Sequence, residues 1–262
     1  MKVSELGQVI VKATQFLKPE AIHIDSDGIR HDRAFAMVED DNTFVNSDQH
    51  RFFMPLKFTF DAHADTLTLS MPDGTEITGS ASASDTKLDI DHFGIRMIET
   101  AEVDGPWRKV LSDFAQRPIR LVRCLSSGRA IDVLPVTFLT TGSLRRLERE
   151  LGEAVDPSRF RAGFVIDNEV EHEEDGWDGR ELRVGDALLR VRTGVPRCQI
   201  TGFNPSSGDR DQEVMKSLIR YRDKVHLPDG MMPDYETPGF AVFAEVLQPG
   251  EVKVGDPVVL AS

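Results

Sequence analysis

The sequence predicts a mainly β protein with a few helices, an α+β fold. Short runs of alternating apolar and polar residues recur along the chain, turn-forming Gly, Pro, Asp and Asn separate these runs, and three segments show helical spacing of apolar residues. A chain of 262 residues is long enough for one large domain or two small ones, each with a core of its own.

Short strands dominate the N-terminal part. They are predicted at residues 8–12, 33–38, 56–60, 66–70, 76–78, 96–100 and 119–124. These strands suggest a small barrel or sheet, and the polar stretch 85–91 is predicted to be an exposed loop. One helix, residues 104–116, interrupts them. Its stripe of Trp107, Val110, Leu111 and Phe114 is more typical of core packing than of a cofactor-binding box.

The C-terminal part continues with more strands and two helices. Residues 131–140 are expected to be extended, 142–152 and 211–221 helical, and 223–238 a long loop. Further strands are predicted at residues 163–167, 181–184, 187–193, 198–203, 240–247 and 252–260. The linker-like residues Ser126, Ser127 and Gly128 place a domain boundary between residues 1–125 and 126–262.

Composition excludes several classes of protein. A net charge of −13 argues against a nucleic-acid surface, although a few converging cations can still bind a small anion. No apolar run reaches the roughly 20 residues of a membrane span, and no secretory or transit signal is recognisable, so we expect no membrane and a cytoplasmic setting. The seven histidines are scattered and give a zinc hydrolase little support. Cys124 and Cys198 are either two unpaired thiols, the simpler reading, or one bridge.

Residues 190–211, RVRTGVPRCQITGFNPSSGDRD, hold the main candidate for chemistry. Cys198 stands where a strand-like run breaks into turn-rich sequence. The adjacent Arg197 is expected to favour the thiolate form of Cys198, which binds soft transition metals. The alternative is that Cys198 is a small buried hydrophobic residue, which is the usual role of a free cysteine.

Resemblance to a known family favours the functional interpretation. The PRC and GDRD motifs of residues 190–211 resemble the MOSC domain. Four further motifs occur in the expected order: DPSRFRAGFVID (156–167), EEDGWDGRELRVGD (173–186), FAVFAEVLQPG (240–250) and VKVGDPV (252–258). The N-terminal part resembles the small β-barrel domain that precedes MOSC in the amidoxime-reducing family, through IVKAT (10–14) and residues 28–51. The resemblance therefore implies an N-terminal β-barrel-like domain packed on a C-terminal MOSC β-barrel domain.

The same resemblance implies a cofactor and a reaction. The expected cofactor is molybdenum-molybdopterin, with Cys198 as the metal ligand and the catalytic residue. Motifs that contact the cofactor in the family contain the positions of Lys12, Arg33, Arg161 and Arg197. The expected reaction reduces N-hydroxylated or N-oxygenated compounds with two electrons and two protons and releases water. The family also carries a label of pyridoxal phosphate binding. A MOSC-type carrier of cofactor or sulfur, without turnover, is the alternative function.

Other residues of these motifs are weaker candidates. Arg159 would lie on the same side as Arg161 if the segment were extended, and a solvated surface cation is the usual role of an arginine or lysine. Asp175 and Trp177 match the family's acidic-aromatic segment near the metal, although a buried structural tryptophan is the more common case. Glu173, Glu174 and Asp175 are expected to form a solvated loop.

Three positions depart from the family pattern by losing a hydroxyl group. Ala13 and Pro196 stand where serine is usual, and Phe243, counted among the cofactor-binding candidates, stands where close relatives have tyrosine. These changes put individual cofactor hydrogen bonds and the substrate preference in doubt, but not the metal ligand.

The source of electrons is expected to be a separate protein. One cysteine remains after Cys198, too few for an iron–sulfur centre, and no G-x-G-x-x-G signature follows a strand to bind a flavin or nicotinamide. The chain ends at Ser262 without the ferredoxin domain that some relatives carry. We therefore expect a ferredoxin, flavoprotein reductase or haem protein as the electron-transfer partner.

Overall fold

The computed structural model describes residues 1–125, 129–227 and 236–261, and within them the chain is mainly β. The strands are β1 (Lys2–Leu6), β2 (Ala21–Asp25), β3 (Gly28–Ile29), β4 (Phe35–Val38), β5 (Lys57–Asp61), β6 (Thr66–Ser70), β7 (Glu76–Ser80), β8 (Ala83–His92), β9 (Arg96–Val103), β10 (Arg120–Cys124), β11 (Val136–Thr140), β12 (Phe164–Asp167), β13 (Glu181–Val184), β14 (Ala187–Pro196), β15 (Lys224–Val225), β16 (Thr237–Gln248), β17 (Gly250–Lys253) and β18 (Val258–Leu260). The helices are α1 (Trp107–Ala115), α2 (Thr141–Leu151) and α3 (Val214–Tyr221). The prediction of a mainly β fold with a few helices is confirmed.

The largest sheet is a nearly closed barrel. Its strands follow the order β1-β12-β11-β16-β14-β13-β18, with β15 paired to β16. The two ends of this order meet because the backbone N–H of Val3 donates to Asp256 O at 2.9 Å and that of Val258 donates to Met1 O at 2.9 Å. Closure removes the exposed edges that an open sheet would present.

Apolar side chains fill the interior of this barrel. Phe138 and Phe164, on adjacent strands, stack with ring centroids 5.2 Å apart, and Trp177 lies against Phe138 at 6.1 Å. Trp177 is 2 % exposed and belongs to the same hydrophobic cluster. It is therefore a structural core residue.

The first strands of the chain belong to the same structure as the C-terminal half. β1 pairs with β12, and β2 pairs with β17 in a three-stranded sheet that also contains β3. Strands β1 and β2 therefore pair across the boundary proposed at residue 126. Ser126, Ser127 and Gly128 lie outside the described residues, and the division into two domains remains a prediction.

A second core lies between residues 10 and 121. Around it lie a four-stranded sheet of order β4-β10-β9-β8, a three-stranded sheet of order β5-β6-β7, and α1. The Trp107 ring is fully buried next to Phe58, and its indole N–H donates to Ser80 O at 2.7 Å. The stripe on α1 is core packing, as the sequence indicated.

Two predicted strands are not strands. Residues 8–12 form only isolated bridges, because the chain turns at Ala13, whose φ is +71°. Residues 198–203 contain a short 3₁₀ helix, Gln199–Gly202, because local hydrogen bonds such as Phe203 N–H to Ile200 O at 3.0 Å replace ladder bonds.

Two other segments differ in how they form strands. Residues 85–91, predicted as a loop, lie within β8, where Ile90 faces the core and the polar side chains face solvent. Residues 252–260 form two strands instead of one, because the chain turns at Gly255, whose φ is +91°. In the predicted loop 223–238, β15 and the start of β16 are strands, and residues 228–235 lie outside the described residues.

The expectation that Glu174 is solvated is wrong. Glu174 is 1 % exposed, and its carboxylate accepts from Ser143 Oγ at 2.6 Å, Thr140 Oγ1 at 2.9 Å and Thr140 N at 3.2 Å. Burial raises the pKa of Glu174, while these hydrogen bonds oppose the shift. Thr140 is also the N-cap of α2, so Glu174 fixes the start of that helix on the barrel.

None of the helices in the described part of the chain is long and apolar enough to cross a membrane.

We predict that Glu174→Ala lowers the free energy of unfolding by about 3 kcal/mol, because three buried donors lose their acceptor. Urea denaturation checks this value. Glu173→Ala is the matched control, since Glu173 lies in the same short helix with its side chain exposed, and a change below about 1 kcal/mol is expected there. Equal losses in the two variants would contradict the role given to Glu174.

Candidate functional site

A cleft of about 530 Å³ brings the predicted site residues together. Its wall includes all six of them, namely Lys12, Arg33, Arg161, Arg197, Cys198 and Phe243. Lys12 and Arg33 come from the irregular segments before β4. Arg161 lies just before β12, Arg197 follows the end of β14, and Phe243 lies on β16. Residues more than 200 positions apart in the chain therefore face one space.

Cys198 lies at the cleft wall, where β14 ends. It is the N-cap of the 3₁₀ helix Gln199–Gly202, and its carbonyl accepts from the Thr201 hydroxyl at 3.1 Å. The thiol is free and the residue is exposed, so a molecule in the cleft can reach the sulfur. Cys124, the other cysteine, is also a free thiol.

The protonation of Cys198 differs from the expectation. The surrounding protein raises the pKa of the thiol because the thiolate is poorly solvated there. The N–H of Ile200 and the charge of Arg197 act in the opposite direction, as expected, but they do not outweigh this desolvation. In the protein alone, Arg197 is therefore not sufficient to make Cys198 a thiolate.

Arg197 is a buried cation with an unused donor. Its Nε donates to Phe240 O at 2.6 Å and its Nη1 to Phe160 O at 3.0 Å. Its Nη2 is buried and has no hydrogen-bond partner in the described part of the chain. Burial lowers the pKa of Arg197 to about 9. An orphan donor on a desolvated guanidinium is costly, and an anionic or carbonyl oxygen in the cleft would satisfy it.

Lys12 is held by groups more than 115 positions later in the chain. Its ammonium group donates to Ala130 O at 3.1 Å and pairs with Asp132. Burial alone would raise the pKa of Asp132, but the charges of Lys12 and Arg33 outweigh it and lower that pKa to about 2. Asp132 is therefore ionised at neutral pH and holds Lys12 at the cleft wall.

Arg33 and Arg161 lie close enough to repel each other. Arg33 pairs with the buried Asp32, whose other oxygen accepts from Val9 N–H at 2.7 Å. Arg161 donates to Thr14 O, and burial together with the charge of Arg33 lowers its pKa to about 10. Both arginines have left-handed backbones, with φ of +48° and +49°. Such strain commonly accompanies functional sites.

Arg159 also lines the cleft, but for a different reason from the one predicted. The segment is not extended: Arg159 belongs to the 3₁₀ helix Pro157–Phe160, and Arg161 follows in the left-handed region. Arg159 donates to Asp211 at 2.8 Å and is 6 % exposed. Like Arg197, it keeps one buried nitrogen, Nε, without a hydrogen-bond partner in the described part of the chain, but its charge is paired with Asp211.

The cleft is cationic although the protein is acidic. Among the described residues its lining includes five lysine or arginine side chains and three carboxylates, those of Asp32, Asp48 and Asp132. The whole chain has a net charge of −13. The local excess of positive charge favours an anionic ligand, because field in a cleft depends on nearby charges.

Of the remaining candidate residues, one lines the cleft and two do not. Phe243 is 5 % exposed and gives the cleft part of its apolar wall. Asp175 and Trp177 do not line the cleft: Asp175 pairs with Arg222 at 2.7 Å and Trp177 lies in the barrel core. The sequence interpretation missed Asp32, Asp48 and Asp132, because no motif singles out their carboxylates.

The sequence matches one protein family and several named proteins. Residues 131–259 match the model of the MOSC domain. The chain is 26 % identical to mitochondrial amidoxime-reducing component 1 of Homo sapiens over 260 residues, which cover 89 % of this chain and 74 % of that protein. It is 32 % identical to mitochondrial amidoxime reducing component 2 of Bos taurus over 128 residues, 48 % of this chain and 37 % of that protein.

A third relative carries a different name. The molybdenum cofactor sulfurase of Oryza sativa subsp. japonica is 24 % identical over 249 residues, which cover 82 % of this chain and 30 % of that protein. These names support a function related to molybdenum and give no support to pyridoxal phosphate. Residues 131–259 therefore correspond to a MOSC domain, and the chain is similar over most of its length to a mitochondrial amidoxime-reducing component.

Proposed function

We propose that this protein reduces N-hydroxylated or N-oxygenated compounds with a molybdenum-molybdopterin cofactor and electrons from a separate protein. The observation that carries the proposal is the cleft itself, which combines an accessible thiol at Cys198 with the orphan donor of Arg197. A molybdopterin needs a soft ligand for its metal and cationic donors for its phosphate. The residues present fit both needs.

Each side chain has a definite task in this proposal. Cys198 would hold the metal through sulfur, and Arg197 would offer its unpartnered Nη2 to an oxygen of the cofactor. Lys12, Arg33 and Arg161 supply the positive field for the phosphate, and their fixed positions lower the cost of ordering them on binding. Phe243 excludes water from one wall. When bound, the cofactor supplies the two-electron redox chemistry, which no side chain of this protein provides.

The reaction balances with two electrons and two protons. The N–O bond of the substrate breaks and the oxygen leaves as water. In an N-hydroxylated substrate one proton goes to nitrogen and one to the departing hydroxyl, whereas in an N-oxide both protons go to the oxygen. The substrate has to be small, because the cleft of about 530 Å³ must also hold part of the cofactor. The apolar wall formed by Phe243 favours substrates with an aromatic or aliphatic body.

A carrier of cofactor or sulfur is the second candidate. The similarity to a molybdenum cofactor sulfurase over 82 % of this chain favours it. The two candidates make the same demands on Cys198 for metal binding but differ in turnover. Metal-loaded protein that binds the cofactor but does not reduce benzamidoxime or 6-hydroxylaminopurine with an artificial reductant would favour the carrier.

We predict that Cys198→Ala lowers benzamidoxime reduction by loaded protein at least about a hundredfold, because the metal loses its thiolate ligand. The readout is activity with reduced methyl viologen, with molybdenum and pterin contents measured on the same samples. Cys124→Ala is the matched control. Cys124 does not line the cleft, and this variant is expected to keep most of the activity. Wild-type activity in Cys198→Ala would remove the mechanism.

We also predict that the loaded chain shows no turnover with NADH or NADPH alone and gains turnover when a reductase system is added. Its two cysteines are too few for an iron–sulfur cluster, so electrons have to arrive from another protein. Oxidation of NADH, followed at 340 nm together with product formation, measures this. Sustained NADH-driven product formation by the purified chain would contradict it.

A further inference from the structure

The hairpin formed by β8 and β9 exposes an acidic surface on the side that faces away from its buried residues Ile90 and Ile98. We call this surface the hairpin face and define it by Asp89, Asp91, Met97, Glu99 and Leu125. Asp89 lies directly opposite Glu99, and Asp91 opposite Met97. The N–H of Leu125 donates to Glu99 O at 2.8 Å, so Leu125 extends the same surface. Met97 is 60 % exposed and Leu125 is 45 % exposed.

Stability does not account for this arrangement. Like charges directly opposite each other on a sheet are destabilising, and Lys87, the nearest cation on this side of β8, lies opposite Ala101 instead of Glu99. Charged residues can protect an edge strand from pairing, and β8 is an edge strand. That explanation does not extend to Met97 and Glu99, because they lie on β9, which is paired on both sides.

The hairpin face is connected to the cleft through the turn of the hairpin. Phe93, in that turn, lines the cleft. His92 and Arg96 lie opposite each other on the other side of the hairpin and contact the same wall. His92 Nε2 lies 3.6 Å from Asp132 Oδ1, and the guanidinium of Arg96 donates to the carbonyl of Ile131. Asp132 and Ile131 also line the cleft. A protein bound to the hairpin face would therefore be separated from the wall of the candidate site by the thickness of this hairpin.

We propose that the hairpin face is the docking surface for a separate electron donor whose own docking face is basic. This inference rests on the proposed function, which needs such a donor. An exposed methionine adapts its shape to a partner, and a rim of carboxylates steers a basic partner into place. A second copy of this chain is the less suitable occupant, since a symmetric contact would set Asp89, Asp91 and Glu99 against their own equivalents. A donor with an acidic surface would be repelled for the same reason.

A partner docked on the hairpin face can give electrons to the protein in turnover or accept electrons from it in a test. In turnover, the donor gives two electrons for each N–O bond that is broken, with two protons from solvent. In the reverse test, two molecules of oxidised cytochrome c each accept one electron from the reduced, cofactor-loaded protein. Cytochrome c is a suitable probe because it is a haem protein with a basic docking face.

The test compares two charge-reversal variants of equal charge. The first is Asp89→Lys with Glu99→Lys. It keeps like charges opposite each other, so we expect the repulsion within the hairpin and its effect on the free energy of unfolding to stay similar. The control is Glu153→Lys with Glu169→Lys, two exposed carboxylates that do not line the cleft. Two readouts are used at low ionic strength: the Kd for oxidised cytochrome c by titration calorimetry, and the rate constant of cytochrome c reduction by stopped flow.

We expect the hairpin variant to weaken binding and slow electron transfer by at least about tenfold and to lose most of the salt dependence of the rate. The control variant is expected to change both by less than about threefold. Equal effects in the two variants, or none in the hairpin variant, would overturn the proposal. Should the double lysine variant fail to fold, Asp89→Asn with Glu99→Gln provides the same comparison with a smaller expected loss.

Failure of this inference is distinguishable from failure of the proposed function. Reduced methyl viologen is a small mediator that needs no docking surface. Substrate reduction with methyl viologen in both variants, combined with equal cytochrome c kinetics, would remove the docking surface and leave the reductase intact. Absence of substrate reduction with methyl viologen in the wild type would remove the reductase, while the calorimetric comparison would still report on the hairpin face.

Discussion

The hydrogen bonds that close the barrel are the constraint on which the site depends. Val3 and Val258 join the first strand of the chain to its last strands, and β2 adds a second connection through β17. These pairings fix where residues 6–35 run over the barrel. Lys12 and Arg33 consequently face the same cleft as Arg161 and Cys198. Without closure, the cations of the two halves of the chain would have no fixed relation to each other.

The cleft illustrates how an acidic protein can build a cationic site. Removing each charged guanidinium from water costs free energy, as the lowered pKa values of Arg161 and Arg197 indicate. Backbone carbonyls of Thr14, Phe160 and Phe240 offset part of that cost by accepting hydrogen bonds from these side chains. They do not offset all of it, because Arg197 keeps one donor without an acceptor. An anionic or carbonyl oxygen bound in the cleft would offset the cost that remains.

Sequence reasoning succeeded where a signal is local and failed where the partner is distant. The alternation in residues 66–70 and the stripe on α1 are properties of neighbouring residues, and both were predicted correctly. Motif order placed Lys12 and Cys198 in one site without any contact information. Burial of Glu174 could not be predicted, because its donors Thr140 and Ser143 lie more than 30 positions earlier. The same holds for Asp132 and its partner Lys12, and for polar residues 85–91, whose strand is evident only from its pairing with β9.

Barrel closure also has a consequence for folding during translation, because the segments that close the barrel are synthesised far apart in time. Val3 leaves the ribosome well before its hydrogen-bond partner Asp256. At roughly 5–20 residues per second, the separation of 253 positions corresponds to a wait of about 13–50 s. During this time the edge of β1 that β18 will cover stays available to other strands, in the nascent chain or outside it. A fold that joins its two ends thus has a long period of exposure to mispairing, and a chaperone that shields the N-terminal segment during translation would shorten it.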